Sequence, residues 1–598
     1  MSLGQDQHPS PAWMDFSGVE SCAEHFSFQP DFDLETLLMD PVNPALLPSI
    51  ENGAPSAHPP GISHSEGDFG GTRAPTQSSP VLSQQSSLLS LPELSWRKSF
   101  HVPEAKRGEM AAIMRQASQQ SCAGEDMEIP PALAMQRYVA AFFDVFPSIL
   151  PCFHRPTWKA DEQQPALLLA LTAVGAAICD KVNTSLALHR AAQLCIWNYM
   201  QMCRFRLDGQ PIWVIQTMLL VMFFGTWSGK SSLLNEALSF QSILANCVRS
   251  LKHPEDSWVT CETSSAPTWA QWLEIETIIR TKLSVYLYFS QLNIAFNMPF
   301  LLINSEVDIA LPCTEDEWQA ASEAEWSRVR AQTNTARVCF IDSLEGLLSS
   351  HDNCLPAWSP LGSLVMVHAI LQEIWQLRHY NNGNLLSEQL RPLEHGLRRL
   401  ESIWEVSSQS LTAGSLPQSL SLDASALFKS AYFRIYADFP RPKPGVLSFD
   451  QGLMRQLVNL FVKHVPRSPE TSRAAYHAIR ALLMPFTADL EWTQRNMTGV
   501  VSLHIYFLPS MQCCLYLSRW LEALASANEA DWTPDEQKVM EMTKATLDEI
   551  GVDADFVQAP IHVQIVHGWC SMFKNSGQWG FAPHFVQVMR RYAESLLG

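Results

Sequence analysis

Apolar residues recur at helical spacing over most of the chain after residue 131. From Trp269 onward they fall near the 3.6-residue period of one helix face, at positions 269, 272, 275, 279, 283, 286 and 287. Other helical patterns cover residues 165–180, 210–251, 331–348, 360–378, 387–404, 424–437, 453–464, 501–525 and 533–550. Neither an alternating β-branched run nor a fixed-period repeat occurs. The pattern predicts an all-α fold with a large multi-helix domain over residues 131–598.

Three local signals divide the region around residue 290 into a helix, an extended connector and a second helix. Asn297-Met298-Pro299 predicts the end of the first helix, because proline lacks an amide donor and restricts the residue before it. Thr314-x-x-Glu317 is typical of a capping box and predicts the start of the next helix. Within the first helix, Glu276 precedes Arg280 by four residues, which favours an ion pair on one helix face.

The first 130 residues are rich in Ser, Pro, Gly and Gln, and they are predicted to be mostly disordered. Residues 26–40 differ because acids alternate there with aromatic and aliphatic side chains. Such a segment keeps apolar groups available for a coactivator groove, and the side chains that would carry this role are Phe28, Asp31, Phe32, Asp33, Leu34, Leu37 and Leu38. The alternative is a short helix that docks on the chain's own domain. Both interpretations remain open.

Composition narrows the class of protein. A net charge of −19 argues against a chain whose whole surface binds the phosphate backbone of nucleic acid. The 14 cysteines are scattered, without the spacing of a disulfide framework, which indicates a reducing intracellular compartment. The longest apolar runs, residues 165–179 and 213–227, are shorter than the roughly 20 residues of a membrane helix. No membrane association is therefore expected.

Catalytic and nucleotide-binding patterns are weak. The stretch Gly225-Thr-Trp-Ser-Gly229-Lys230-Ser231 has three residues between its glycines, whereas a phosphate-binding loop needs four and a preceding strand. An interhelical turn is predicted there. No Asp-rich metal motif and no nucleophile–base pair in a suitable context is found, and the sequence around His351-Asp352 is typical of a surface loop. The chain is predicted not to be an enzyme, with an α-helical enzyme or small-molecule-binding protein as the alternative.

The order of motifs over residues 137–318 resembles the regulatory domain of fungus-specific transcription factors. The resemblance rests on an aromatic helix over residues 137–146 and on a set of motif residues that the family implies to be structural: His154, Arg155, Pro156, Trp272, Glu276, Arg280, Pro299, Asp308, Pro312 and Trp318. It implies a nuclear regulator of transcription that controls one pathway, for example a biosynthetic gene cluster of secondary metabolism. Only one arginine of the family's Arg-Arg pair is present, because Ile279 occupies the first position.

The resemblance is closest to the branch that usually carries two-Cys two-His zinc fingers before this domain, and it therefore implies zinc. Upstream of the domain only Cys22 and Cys122 occur, and neither has a partner at finger spacing. No zinc ligand set is found, so no cofactor is predicted. Two versions follow: a co-regulator that acts through the transcription machinery or a DNA-binding partner protein, or a form whose fingers lie upstream of Met1 and contact DNA directly. A homodimer is compatible with both versions.

Overall fold

The computed structural model divides the chain into two compact units, Met1–Ser83 and Gln84–Gly598. It describes part of the second unit: residues 100–120, 128–251, 267–333, 338–349, 358–381, 387–408, 416–437, 465–487, 503–551, 556–573, 580 and 582–597. Within these ranges helices are the regular elements, and extended pairing is limited to a single antiparallel bridge between Ala310 and Cys339. The all-α fold class is confirmed.

The helices follow one another in chain order with short connections. The first half contains α1 (Glu104–Gln120), α2 (Ala132–Val145), α3 (Pro165–Ile178), α4 (Val182–Met202), α5 (Ile212–Trp227), α6 (Ser231–Ser239), α7 (Gln241–Arg249), α8 (Trp269–Phe296), α9 (Glu315–Trp318) and α10 (Glu323–Thr333). The second half contains α11 (Phe340–Leu348), α12 (Pro360–Tyr380), α13 (Ser387–Ser408), α14 (Leu416–Tyr436), α15 (Pro469–Thr487), α16 (Leu503–Ala525), α17 (Pro534–Ile550), α18 (Ile561–Met572) and α19 (Ala582–Ser595).

The helical unit begins earlier than the boundary at residue 131 that the sequence indicated. Residues 100–120, assigned to the disordered segment, include helix α1, which packs against α3 and α4. Phe100, Met110 and Met114 are buried in the core. The ring of Phe100 stacks on that of Phe143 with centroids 5.0 Å apart. A few large side chains therefore hold a helix whose overall polarity is typical of disorder.

One hydrophobic core connects helices from both halves of the unit, because α8 packs against α5, α12 and α16. Close helix packing at Gly175 supports this core, as the small residues there predicted. A Cβ atom at Gly175 would lie 1.9 Å from the carbonyl oxygen of Tyr138, so α2 and α3 approach at a distance that only glycine permits. Gly225 has a similar role, because a Cβ there would lie 2.7 Å from the carbonyl oxygen of Leu233. Glycine at 225 thus serves packing between α5 and α6.

The extended connector between α8 and α9 changes the structure that follows it. The helix predicted over residues 331–348 is wrong, because α10 ends at Thr333 and α11 begins at Phe340. The amide of Leu311 donates to the carbonyl of Val338 at 2.8 Å, and the amide of Phe340 donates to that of Ile309 at 2.9 Å. Backbone groups that a continuous helix would use internally are therefore paired with the connector.

Several predicted features lie outside the described residues: the segment 26–40, both upstream cysteines, the loop at His351 and the helix over 453–464. Among the helices that the structure does describe, none combines the length and apolar character needed to cross a bilayer.

Candidate functional site

The motif residues meet where the middle of α8 faces the end of the connector, helix α9 and a short 3₁₀ turn, Arg155–Thr157. We call the group at this junction the Arg280 cluster; its members are His154, Glu276, Arg280, Cys313, Glu315 and Trp318. Helix α8 starts with a capping box at Thr268 and ends at Asn297, which adopts the left-handed conformation with φ of 50°. These two ends fix the length of α8 and therefore the position of Arg280.

Arg280 is the centre of the cluster, and its side chain is fully buried. Its Nε donates to Glu276 Oε1 at 3.0 Å, and its Nη2 donates to Glu315 Oε1 at 3.1 Å. Nη2 also donates to the carbonyl oxygen of Cys313 at 3.2 Å. The guanidinium carbon lies 4.4 Å from the centroid of the Trp318 ring, a cation–π contact in a site without water exposure. One side chain thus connects α8, the connector and α9.

The two carboxylates complete this connection. Glu276 Oε1 accepts a second hydrogen bond, from the amide of Cys313 at 3.0 Å. Glu315 is the first residue of α9, where the positive end of the helix dipole favours a negative charge. Thr314 caps the same helix, because its side chain accepts a hydrogen bond from the amide of Glu317. The start of α9 is therefore held by its own cap and by Arg280.

Burial and charge act in opposite directions within the cluster. Burial raises the pKa of the Glu315 carboxyl, and the charge of Arg280 works against that rise. Burial would lower the pKa of Arg280, but the carboxylates of Glu315 and Glu276 and the thiol of Cys313 raise it above its ordinary value. The guanidinium is therefore charged at all relevant pH. Removing it would leave buried carboxylates without their cation, which is a costly state.

His154 connects the Arg155–Thr157 turn to the same cluster. Its ring meets the Trp318 ring edge-on with centroids 4.7 Å apart, and its Nδ1 is 2.7 Å from the hydroxyl oxygen of Thr157. Burial, together with the charge of Arg280, lowers the pKa of His154 to about 4. The imidazole is thus neutral near pH 7. A neutral, packed ring at this position agrees with a structural residue of the turn.

The remaining motif residues divide between the interior and the surface. Trp272 packs with Trp318 and Trp326 in a small apolar cluster beside Arg280. Pro312 is buried, and its carbonyl oxygen accepts a hydrogen bond from Ser359 at the start of α12. Pro299 and Asp308 are exposed, whereas Arg155 pairs with Asp144 at 3.1 Å and Pro156 lies within the turn. The structure therefore brings together the motif residues of α8 and α9 but not those of the connector's outer face.

Sequence reasoning missed Glu315 and Cys313 in the cluster, and it also missed Asn304. The Tyr286 hydroxyl donates to Asn304 Oδ1 at 2.7 Å, and Asn304 Nδ2 donates to Glu373 Oε1 at 2.7 Å. Asn304 thereby fastens the connector to α12. A signal exists only for Glu315, as an acid in the first turn of a capped helix.

The described residues do not offer a zinc site. In the described ranges no group of three or more His, Cys, Asp or Glu side chains is placed to hold a metal ion. Cys513 and Cys514 lie buried in α16, where burial raises the pKa of both thiols, so neither is poised as a thiolate ligand. The zinc that the family implies is therefore not held by this part of the chain.

Comparison with known proteins gives two family matches. Residues 139–402 match the model of the fungal specific transcription factor domain, and residues 446–591 match that of the fungal transcription factor C-terminal domain. The first match contains the whole Arg280 cluster. No solved structure matches the chain.

Two curated relatives are similar over part of their length. A nicotinate catabolism cluster-specific transcription factor of Emericella nidulans is 22% identical over 303 residues, which cover 48% of this chain and 34% of the relative. Zinc finger protein klf1 of Schizosaccharomyces pombe is 22% identical over 259 residues, which cover 41% of this chain and 32% of that protein. The match thus spans about a third of each relative. With both family models placed over a single helical unit, the chain belongs to the family of proteins with a fungal specific transcription factor domain.

Proposed function

We propose that this chain is a nuclear regulator that controls the transcription of the genes of one pathway. The observation that carries the proposal is the match of residues 139–402 to the fungal specific transcription factor domain. The similarity to a regulator named for a catabolic gene cluster supports pathway specificity. A biosynthetic gene cluster of secondary metabolism is one target that fits this class. In this proposal the helical unit is the regulatory part of the protein.

The helical unit would act on DNA through other modules. A net charge of −19 disfavours a broad contact with phosphates, and the described residues lack a zinc ligand set. DNA contact would then come from a DNA-binding partner protein, a second copy of the chain, or finger segments outside this sequence. Chromatin occupancy that persists when every candidate DNA-binding partner is deleted would contradict the partner-dependent version.

Transcript profiling of a deletion strain tests the proposal most directly. We expect a group of functionally related genes to change expression, and we expect the full-length wild-type chain, expressed from another locus, to restore it. The matched control is Arg280→Met, which damages the buried cluster and should restore expression poorly because less folded protein accumulates. A cytosolic protein whose deletion leaves transcript levels unchanged would favour an enzyme or small-molecule binder instead.

A further inference from the structure

Three helices bring charged and aromatic side chains together on the side of the unit where α14 packs against both α13 and α15. We call the six residues there the Lys429 cluster: Lys429, Tyr432 and Tyr436 of α14, and Arg473, His477 and Arg480 of α15. On each helix the residues are spaced by three or four positions, so each set lies on one face. The cluster lies across the junction of the two family matches, because α15 lies in the second match and α14 lies between them.

Parallel rings form one wall of the cluster. The His477 ring stacks on the Tyr432 ring with centroids 4.7 Å apart and an interplanar angle of 5°. The Tyr436 ring is also nearly parallel to that of His477, at 7° and 6.2 Å. Burial lowers the pKa of His477 to about 4, so the ring is neutral near pH 7. Flat, neutral, aligned rings at a half-buried position offer a face on which another flat ring can pack.

The charges of the cluster are not balanced. The facing side of α13 contributes Glu394, Arg398 and Glu401, so that four cations (Lys429, Arg398, Arg473 and Arg480) meet two carboxylates. Glu394 is already engaged by Arg398 at 3.5 Å and by the Tyr436 hydroxyl. The excess of cations occurs in a chain whose net charge is −19. A local positive site of this kind attracts an anion.

Lys429 is the most costly of these charges. Its side chain is half-buried, and among the described residues its ammonium has neither a hydrogen bond nor an ion pair. Burial lowers the pKa of Lys429, the charge of Arg480 lowers it further, and Glu401 acts in the opposite direction. A half-buried ammonium held near a guanidinium is unfavourable unless an anion neutralises both.

We propose that the Lys429 cluster binds a small carboxylate that carries a flat ring. The carboxylate would accept hydrogen bonds from Lys429 and Arg480, which desolvates and neutralises both cations at once. The ring would pack against the wall of His477 and Tyr432. DNA does not fit, because contact with a phosphate backbone needs a stripe of exposed cations, whereas Lys429 and Arg480 are half-buried between helices.

A binding measurement on the purified full-length protein tests this site, and it does not depend on the proposed role in transcription. The probes are three ring carboxylates (benzoate, 2-hydroxybenzoate and pyridine-3-carboxylate), with benzyl alcohol as the uncharged ring and acetate as the anion without a ring. We expect at least one ring carboxylate to bind saturably by titration calorimetry. Lys429→Met and Arg480→Met should each weaken it about tenfold or more, since a charge-assisted hydrogen bond is lost.

Controls separate binding from folding. Lys159→Met removes an exposed lysine that pairs with Glu162 elsewhere on the unit, and it should leave the dissociation constant unchanged. Unfolding temperatures without ligand identify any variant that fails to fold, and Lys429→Arg should restore most of the affinity. The proposal is overturned if none of the three ring carboxylates binds saturably, if Lys429→Met binds as tightly as wild type, or if acetate binds as tightly as the ring compounds. Binding of an acidic peptide alone would instead indicate a protein-docking surface.

Discussion

The Arg280 cluster and the Lys429 cluster use the same kinds of side chain in opposite ways. In the Arg280 cluster one cation lies between two carboxylates, and the guanidinium side chain has 0% exposure. In the Lys429 cluster cations outnumber carboxylates, and the charged groups are half-buried or exposed. A buried charge must be compensated where it lies, whereas a partly accessible one can leave its compensation to a ligand. The first arrangement braces the fold, and the second is suited to binding.

Loss of the central cation should separate the two clusters most clearly. Arg280→Met removes the partner of Glu276 and Glu315 while it keeps most of the side-chain volume, and we expect the free energy of unfolding to fall by about 3–5 kcal/mol. Urea unfolding of the full-length protein, followed by tryptophan fluorescence, measures this loss.

Two variants calibrate that result. Arg280→Lys keeps the charge but loses the forked geometry, so its loss should be smaller. Arg206→Met removes an exposed arginine paired with Asp208 and should change stability by about 0.5 kcal/mol or less. A loss below about 1 kcal/mol for Arg280→Met would mean that the buried network does not brace the fold.

The sequence predicts the first cluster in part because some of its contacts are local. Glu276 and Arg280 are four residues apart on one helix, and the ion pair between them is present at 3.0 Å. Glu315 lies 35 residues after Arg280, so its contact depends on how the connector returns to α8, which no local pattern encodes. The Lys429 cluster could not be predicted for a similar reason, because each of its helices alone has the charged face of an exposed helix.

Helix boundaries follow the same rule. The residue Asn297 ends α8 as its local sequence predicts, since Pro299 and the left-handed cap are local features. The gap between α10 and α11 was missed, because it results from hydrogen bonds with the connector some 30 residues earlier along the chain, such as the 2.8 Å bond from Leu311 to Val338. Tertiary pairing thus overrides a helical pattern where the connector competes for backbone groups.

The response to pH should follow from His154 in the first cluster. Its pKa is about 4 in the folded protein against an ordinary value of 6.5, so the unfolded chain takes up a proton that the folded ring refuses. Stability is therefore lost as the pH falls from 6.5 toward 4, and at about pH 5 this residue accounts for about 1–2 kcal/mol of that loss. We expect His154→Gln to lose less stability than wild type between about pH 7 and pH 5.

His189, His368 and His477 provide the internal control for this pH dependence. Burial lowers the pKa of each in the same direction, so both proteins should still lose stability on acidification. Equal losses in wild type and His154→Gln, measured from urea midpoints, would show that the His154 ring is not packed against Trp318 as the structure has it.

The smallest effect on stability should come from Lys429, in contrast to Arg280. Lys429→Met keeps the apolar part of the side chain and removes an ammonium that burial and Arg480 both disfavour. We expect the free energy of unfolding to stay within about 0.5 kcal/mol of wild type or to rise slightly, as measured by urea unfolding beside Lys159→Met. A loss above about 2 kcal/mol would mean that Lys429 holds the helices together as Arg280 does, because only a charge with compensating partners stabilises the fold it is buried in.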